Sequence, residues 1–322
     1  MNPCTKAIAA ACLLISASEA TRAAYVFQDI VDPLNPTFTQ ALGINNAGTV
    51  VGYGNADVFN GFQLSGAVFT RQNVPGADGG TQVVGISGTG ATVGFYVGGG
   101  LTNGFAQIGG TFVTVDQPGT AFNQLLGINQ SGATAAGYAS TDAGGAVLQK
   151  AMTVSGGPQF SGPVFTNIDA LLPANTNSQA TGVNNAGTVV GFFQDAAGNS
   201  MGFMETMGAV STLAVPLAVS TQALGINDLG DIVGDYVDVA DVMHGFEYTA
   251  GHYITLDPNG SGGTTANGIN DLGQIVGFYT VGENTLGFLA QQAVPEPATL
   301  PLAALAMLAG VVATRRPRNR IA

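Results

Sequence analysis

The chain has 322 residues, 48 of them glycine, with two cysteines, no tryptophan and a formal net charge of −12. Its basic residues gather at the two ends: between residues 25 and 290 only Arg71 and Lys150 stand against eighteen acids, a net charge of −16. A surface of that sign repels phosphate backbones, which excludes nucleic acid as a partner and leaves cations, neutral glycans and basic proteins.

Residues 1–24 read as a secretory signal peptide rather than a structural helix. Lys6 precedes an apolar stretch from Ala7 to Ala17, and small residues follow, with a cut expected between Ala20 and Ala24. Cys12 follows Ala9, Ala10 and Ala11, but a lipoprotein cleavage box wants a larger aliphatic residue at the Ala9 position, so lipidation is not expected. Cys4 and Cys12 both fall in this leader. The exported chain then has no disulfide, thiolate metal site or cysteine nucleophile. About 265 residues remain, enough to be held by a core alone.

Residues 25–290 repeat one unit six times. A Gly-Ile-Asn-type element begins at Gly43, Gly85, Gly127, Gly182, Gly225 and Gly268, at intervals of 42, 42, 55, 43 and 43 residues. An insertion between Thr141 and Pro163 accounts for the long interval. A Gly-Phe pair follows in each unit (Phe62, Phe105, Phe203, Phe246 and Phe288), except the third, where Gly145-Ala146-Val147 is taken as its counterpart. Val, Ile, Phe, Tyr and Thr alternate with small or polar residues over five to seven positions, the pattern of short half-buried strands. Asn45-Asn46-Ala47-Gly48 and its equivalents read as hairpin turns, with Asn bonding back to the backbone and Gly taking the left-handed conformation.

A four-stranded repeat of about 43 residues is the size of a β-propeller blade. The expected fold is therefore all-β, a six-bladed β-propeller with the N-terminal strand lying against the last blade; a β-solenoid is the second choice. The units also resemble the bacterial extracellular repeats named for a His-Ala-Phe (HAF) motif. The histidine of that motif survives only at His244, with Asn60, Asn103, Met201 and Leu286 in its place elsewhere. The resemblance brings no catalytic residues with it.

Candidate chemistry is sparse. His244 and His252 are the only histidines. Either could pair with Asp241 and a serine, but no nucleophile signature accompanies them, so catalytic residues are not expected. Asp228, Asp231, Asp235, Asp238 and Asp241 form the densest acid cluster and are the candidate calcium ligands, against a solvated acidic face as the plain alternative. Acids are scattered over every repeat, and no pair stands out for glycoside hydrolysis. Gly98-Gly99-Gly100 is expected as a hairpin tip rather than a phosphate loop, since no helix follows it. Tyr53, Tyr96, Tyr138, Tyr236 and Tyr279 recur in the repeats and are expected to pack between blades rather than form a sugar-stacking ring.

The C-terminal segment, 291–322, carries a different signal. Val294, Pro295, Glu296 and Pro297 precede an apolar run whose residues 298–314 are expected as a transmembrane helix, and Arg315, Arg316, Arg318 and Arg320 follow at once. The run lies near the lower limit of about 17 residues for crossing a bilayer, with its basic end on the cytoplasmic side. This three-part pattern resembles the PEP-CTERM sorting signal. The resemblance implies an exported protein held briefly in the inner membrane until an exosortase, a membrane protease, removes the tail. The expected function is non-enzymatic, a structural or adhesive component of the cell surface or exopolysaccharide matrix. The alternatives are an enzyme acting on extracellular polysaccharide and a protein-binding propeller scaffold.

Overall fold

The Asn-x-x-Gly turns show how the repeat folds. The computed structural model describes residues 24–293 apart from 56–57, 157–159, 175–176 and 260. In it, β1 (Tyr25–Ile30) is followed by β2 (Thr39–Ile44) and β3 (Val50–Gly54), which Asn45–Gly48 joins. Asn45 Oδ1 accepts from the amides of Ala47 and Thr49 at 3.1 and 3.0 Å, and Gly48 takes φ 75°. β4 (Asn60–Ser65) and β5 (Val68–Arg71) complete a four-stranded antiparallel sheet in sequential order.

The later repeats follow the same course. They supply β6 (Thr81–Ile86), β7 (Thr92–Gly98), β8 (Leu101–Ile108) and β9 (Thr111–Thr114), then β10 (Phe122–Ile128), β11 (Thr134–Ser140), β12 (Lys150–Ser155) and β13 (Val164–Asn167). Next come β14 (Ser178–Val183), β15 (Val189–Gln194), β16 (Ser200–Thr206) and β17 (Ala209–Leu213). β18 (Ser220–Ile226), β19 (Ile232–Val237), β20 (Met243–Thr249) and β21 (His252–Leu256) follow. β22 (Thr264–Ile269), β23 (Ile275–Val281) and β24 (Asn284–Gln292) end the series. β1 is the fourth strand of this last sheet, antiparallel to β24 from Tyr25 opposite Gln292 to Ile30 opposite Gly287.

The arrangement is a propeller, with one correction to the expected six separate blades. Four sheets are discrete four-stranded blades, whereas β6–β13 form a single eight-stranded sheet. The join is a parallel pairing of β10 with β8 at Phe122 and Thr102. Its cause is the tight Gly99-Gly100 hairpin: β7 and β8 pair up to Gly98 and Leu101, so Thr102 is still extended where Phe122 passes. The third repeat brings a second correction. Met152, not the 145–147 segment, stands opposite Gly137 as Phe105 stands opposite Gly94. The residues inserted in this repeat lengthen the connections on either side of β12.

The ring closes on itself, which excludes the open solenoid. The innermost strands β2, β6, β10, β14, β18 and β22 are neighbours in that order, with β22 beside β2. Their glycines meet at the axis: a Cβ on Gly43 would lie 3.2 Å from Gly85 Cα, and one on Gly268 would lie 3.1 Å from Gly43 Cα. Side-chain hydrogen bonds repeat the closure on the turn face. Asn184 Nδ2 donates to Asn227 O at 3.1 Å, Asn227 Nδ2 to Asn270 O at 3.2 Å, and Asn270 Nδ2 to Asn45 O at 2.9 Å.

Each repeat carries one large side chain at the centre of its strands. Phe62, Phe105, Phe203, Phe246, Phe288 and Met152 are fully buried, each worth about 1.5–3 kcal/mol of burial. The preceding strand makes room for the ring with a glycine. A Cβ on Gly52 would meet Gln40 O at 1.9 Å and Phe62 Cζ at 2.9 Å, so no other residue fits there. Both basic side chains of the body are ion-paired: Arg71 binds Asp32 through two 2.6 Å contacts, and Lys150 lies 3.0 Å from Asp169. All the sheets and their cores fall within Tyr25–Gln292, which forms one compact unit. No helix among the described residues is long and apolar enough to cross a membrane; the leader and the expected helix at 298–314 lie outside them.

Candidate functional site: the axial cavity

An irregularity shared by all six repeats builds the site. The pairing of each innermost strand with its neighbour shifts register just before the glycine, at Ala41/Gly43 in the first repeat and Ala266/Gly268 in the last. The extra residue of each bulge is Leu42, Val84, Leu126, Thr181, Leu224 or Asn267, and all six line one cavity on the axis. A bulge re-aims the side chain it displaces, and six of them around a ring make a lining.

This cavity has a volume of about 440 Å³ and is set away from the Asn turns, near the start of the innermost strands. Two residues before each bulge comes a polar side chain: Gln40, Gln82, Gln124, Gln179, Gln222 and, in the sixth repeat, Thr265. Gln179 Nε2 donates to Gln149 Oε1 at 2.8 Å and Gln222 Nε2 to Ser200 Oγ at 3.1 Å, which turns these two carboxamides toward the preceding blade. Phe95, Phe192 and Phe278 contribute aromatic walls, and Met243 reaches in from β20. At the bulge level Thr181 Oγ1 is satisfied by Val190 O and Ala223 O, whereas Asn267 Oδ1 is buried with no hydrogen-bond partner among the described residues.

Asp235 is the exception in this lining. The residue after the strand glycine is Tyr53, Phe95, Tyr138, Phe192 and Phe278 in five repeats, and Asp235 in the fifth. Gln222 faces it across the strand pair, yet that carboxamide is engaged with Ser200. The carboxylate is 5 % exposed and forms no hydrogen bond or ion pair with any described residue. Burial pushes its pKa up to about 7. No other described residue lining the cavity titrates.

The other four aspartates of the acid cluster are elsewhere. Asp228 and Asp231 belong to the turn end of β19, where Asp228 accepts from Asn185 N at 2.7 Å and Asp231 from Asn227 Nδ2 at 3.1 Å. Asp238 and Asp241 belong to the hairpin at the far end; Asp238 caps the amides of Ala240 and Val242 at 2.8 and 2.9 Å. Six strand residues at about 3.3 Å each separate the two ends. The five do not converge, and the described residues include no group of three or more acids, histidines or cysteines that could hold a metal ion. The cluster is dense in sequence because it straddles one strand, not because it shares a point in space.

His244 pairs with two acids but with neither Asp241 nor a serine. Its Nδ1 lies 2.6 Å from Asp257 Oδ2, its Nε2 lies 3.5 Å from Asp238 Oδ2, and its ring stacks on Tyr236 at 5.0 Å. The hydrogen bond to Asp257 raises the imidazole pKa, opposed by partial burial and aided by the charges of Asp257 and Asp238. His252 is exposed on β21. The recurrent tyrosines split between two positions. Tyr53 and Tyr138 directly follow the strand glycine, whereas Tyr96, Tyr236 and Tyr279 come one residue later on the opposite strand face; Tyr53, Tyr138 and Tyr279 are buried. Tyr96, Tyr236 and Tyr279 bond to Thr114, Thr255 and Asp29.

Comparison with known proteins bears on the tail and on the fold. Residues 293–316 match the PEP-CTERM protein-sorting motif, which marks an exported protein that is transiently anchored and sorted to the cell surface by an exosortase. Val294, Pro295, Glu296, Pro297, Arg315 and Arg316 fall in this match and outside the described residues. No curated protein matches the chain. Among solved structures, AofleA from Arthrobotrys oligospora is similar with a TM-score of 0.54 at 14% identity, covering 84% of this chain and 88% of that one. SapL1 lectin in complex with alpha methyl fucoside is similar with a TM-score of 0.50 at 14% identity, covering 81% and 98%. Virginiamycin B lyase from Staphylococcus aureus aligns at 10% identity and a TM-score of 0.47, covering 83% and 100%. At 14% identity the likeness to AofleA and SapL1 is one of fold.

Proposed function

We propose that this chain is an exported, non-enzymatic component of the cell surface or exopolysaccharide matrix, and that its propeller binds a partner through the axial cavity. The observation that carries the reading is the lining: carboxamides, three phenylalanines and one carboxylate around about 440 Å³, the size and mixed character of a small-ligand site. The sorting motif supplies the location. The fold is compatible, since SapL1 is a lectin solved with a fucoside; its sugar contacts are not carried over to this chain. The six HAF-like repeats act in this reading as six positions around one axis.

One observation favours the enzyme alternative. A carboxyl whose pKa is raised to about 7 is suited to act as a general acid. Hydrolysis of a glycosidic bond normally needs a second carboxylate within about 5–10 Å, and Asp235 has no titratable companion in the cavity lining. The test is incubation of residues 25–292 with the polysaccharide of the producing cell. Retention without shortening of the polymer is expected. Cleavage that Asp235→Asn abolishes would favour the enzyme, and neither retention nor cleavage would reject a matrix role.

A further inference from the structure

We infer that the axial cavity recognises a small organic cation, an ammonium group on a sugar-sized body, with the Asp235 carboxylate as its counter-charge. This rests on the reading of the cavity as a binding site and adds the chemistry of what it takes.

Three independent observations point the same way. First, Asp235 breaks a rule that the other five repeats keep, for each of them places an aromatic ring at that position. A phenyl ring there, as in Phe95, Phe192 and Phe278, would fill space and expose no polar atom. The carboxylate instead lines the cavity, 5 % exposed and without a partner among the described residues. Burial of such a group is costly unless something pairs with it, and among the described residues the two basic side chains, Arg71 and Lys150, are both committed to other acids.

Second, the rest of the lining suits an organic cation better than a metal ion. Calcium asks for six to eight oxygens, usually with several carboxylates; this cavity offers one carboxylate, carboxamides and apolar walls. Phe95, Phe192 and Phe278 present ring surface to the same space, and aromatic faces attract ammonium groups. Gln40, Gln82 and Gln124 stand in the same ring of side chains to meet hydroxyls, and Asn267 Oδ1 is an unused acceptor in the same wall.

Third, the field of the body favours a cation over the neutral form of the same molecule. A net charge of −16 over residues 25–290 draws positive ligands inward and raises their local concentration.

Calorimetric titration of residues 25–292 at pH 7 with glucosamine, N-acetylglucosamine and choline tests this. Glucosamine and N-acetylglucosamine share a ring and differ in the charge on nitrogen, and choline carries the charge without the ring. Glucosamine is expected to bind at least about tenfold more tightly than N-acetylglucosamine, the scale of one lost charge pair. Binding of choline as well would mean that the ammonium suffices; binding of glucosamine alone would mean that the sugar hydroxyls are needed too. Asp235→Asn and Asp235→Phe are expected to abolish the preference, and Asp235→Phe keeps the propeller intact because it restores the residue type of the neighbouring repeats. Equal binding of the two sugars, no binding of either cation, or undiminished binding by Asp235→Asn would each overturn the inference. If polysaccharide retention persists while these probes fail, the ligand class is wrong and the binding role stands; if both fail, the cavity is not the site.

Discussion

Asp32 and Asp235 are both buried carboxylates of the same propeller, and the protein treats them in opposite ways. Asp32 is fully buried and saturated: Arg71 binds it through two nitrogens at 2.6 Å, Asn35 Nδ2 donates at 2.8 Å and the Leu34 amide at 3.1 Å. Burial works to raise its pKa, but the hydrogen bonds from Arg71, Asn35 and Leu34, with the charge of Arg71, outweigh it, and the net shift is downward. Asp235 has burial and nothing to oppose it. The first fastens the segment after β1 to the edge strand β5 of the neighbouring blade. The second holds an unpaired acid where the fold would be content with a phenylalanine. A buried group that costs stability and supports no packing is where function is to be sought.

The largest effect should come from breaking the saturated pair. Arg71→Met leaves the buried Asp32 charge without a counter-ion and is expected to cost about 3–5 kcal/mol in chemical denaturation. A loss below about 1 kcal/mol would mean that the pair behaves as a surface bridge.

Next in size, Asp235→Asn should stabilise the protein, a sign opposite to that of most core substitutions. The folded pKa of about 7 lies above the ordinary 3.8, so between those values the folded state binds the extra proton and stability falls as pH rises. Above pH 7 the full penalty applies, on the order of 4 kcal/mol at most, and Asp235→Asn recovers part of it. At pH 4 the variant and the parent should unfold together. A variant less stable than the parent at pH 8 would show that the carboxylate is structural.

Asp32 sharpens the comparison on the acid side. Its depressed pKa gives stability that is complete above the ordinary 3.8 and lost as pH falls through the folded value. The acid limb of the unfolding curve should therefore move to higher pH in Arg71→Met and stay in place in Asp235→Asn.

The smallest effect is expected at His244. Its raised pKa contributes stability below the ordinary 6.5 that disappears as pH rises through the folded value. The groups are partly exposed, so His244→Gln should cost less than about 1 kcal/mol at pH 5 and nothing measurable at pH 9. An equal loss at both values would assign His244 to packing on Tyr236 instead.

Much of this fold is legible in the chain, because each repeat states its own turn and strand chemistry six times. Asn45 and Gly48 announce the hairpin, and Gly52 with Phe62 announces the core of the blade. The joining of two repeats into one sheet is not legible, since it depends on where the Gly99-Gly100 hairpin ends relative to Phe122. Met152 escaped for a related reason: the inserted residues displaced it from the spacing of the other repeats, and only its position opposite Gly137 identifies it. The site was within reach. Alignment of the six strands sets Asp235 against five aromatic residues, a sharper signal than its membership in a run of acids. What the sequence could not show is that the bulges turn six side chains inward, so that one substitution faces a shared cavity.

The measurement closest to the centre of this account is the titration of the two carboxyl carbons by NMR. Asp235 is expected to titrate with a midpoint near 7 in the free protein, shifting downward when a cation occupies the cavity, while Asp32 titrates below the ordinary 3.8. A midpoint for Asp235 at or below that ordinary value, unmoved by glucosamine, would mean that the acid is solvated or already paired and that the axial cavity is not built around it.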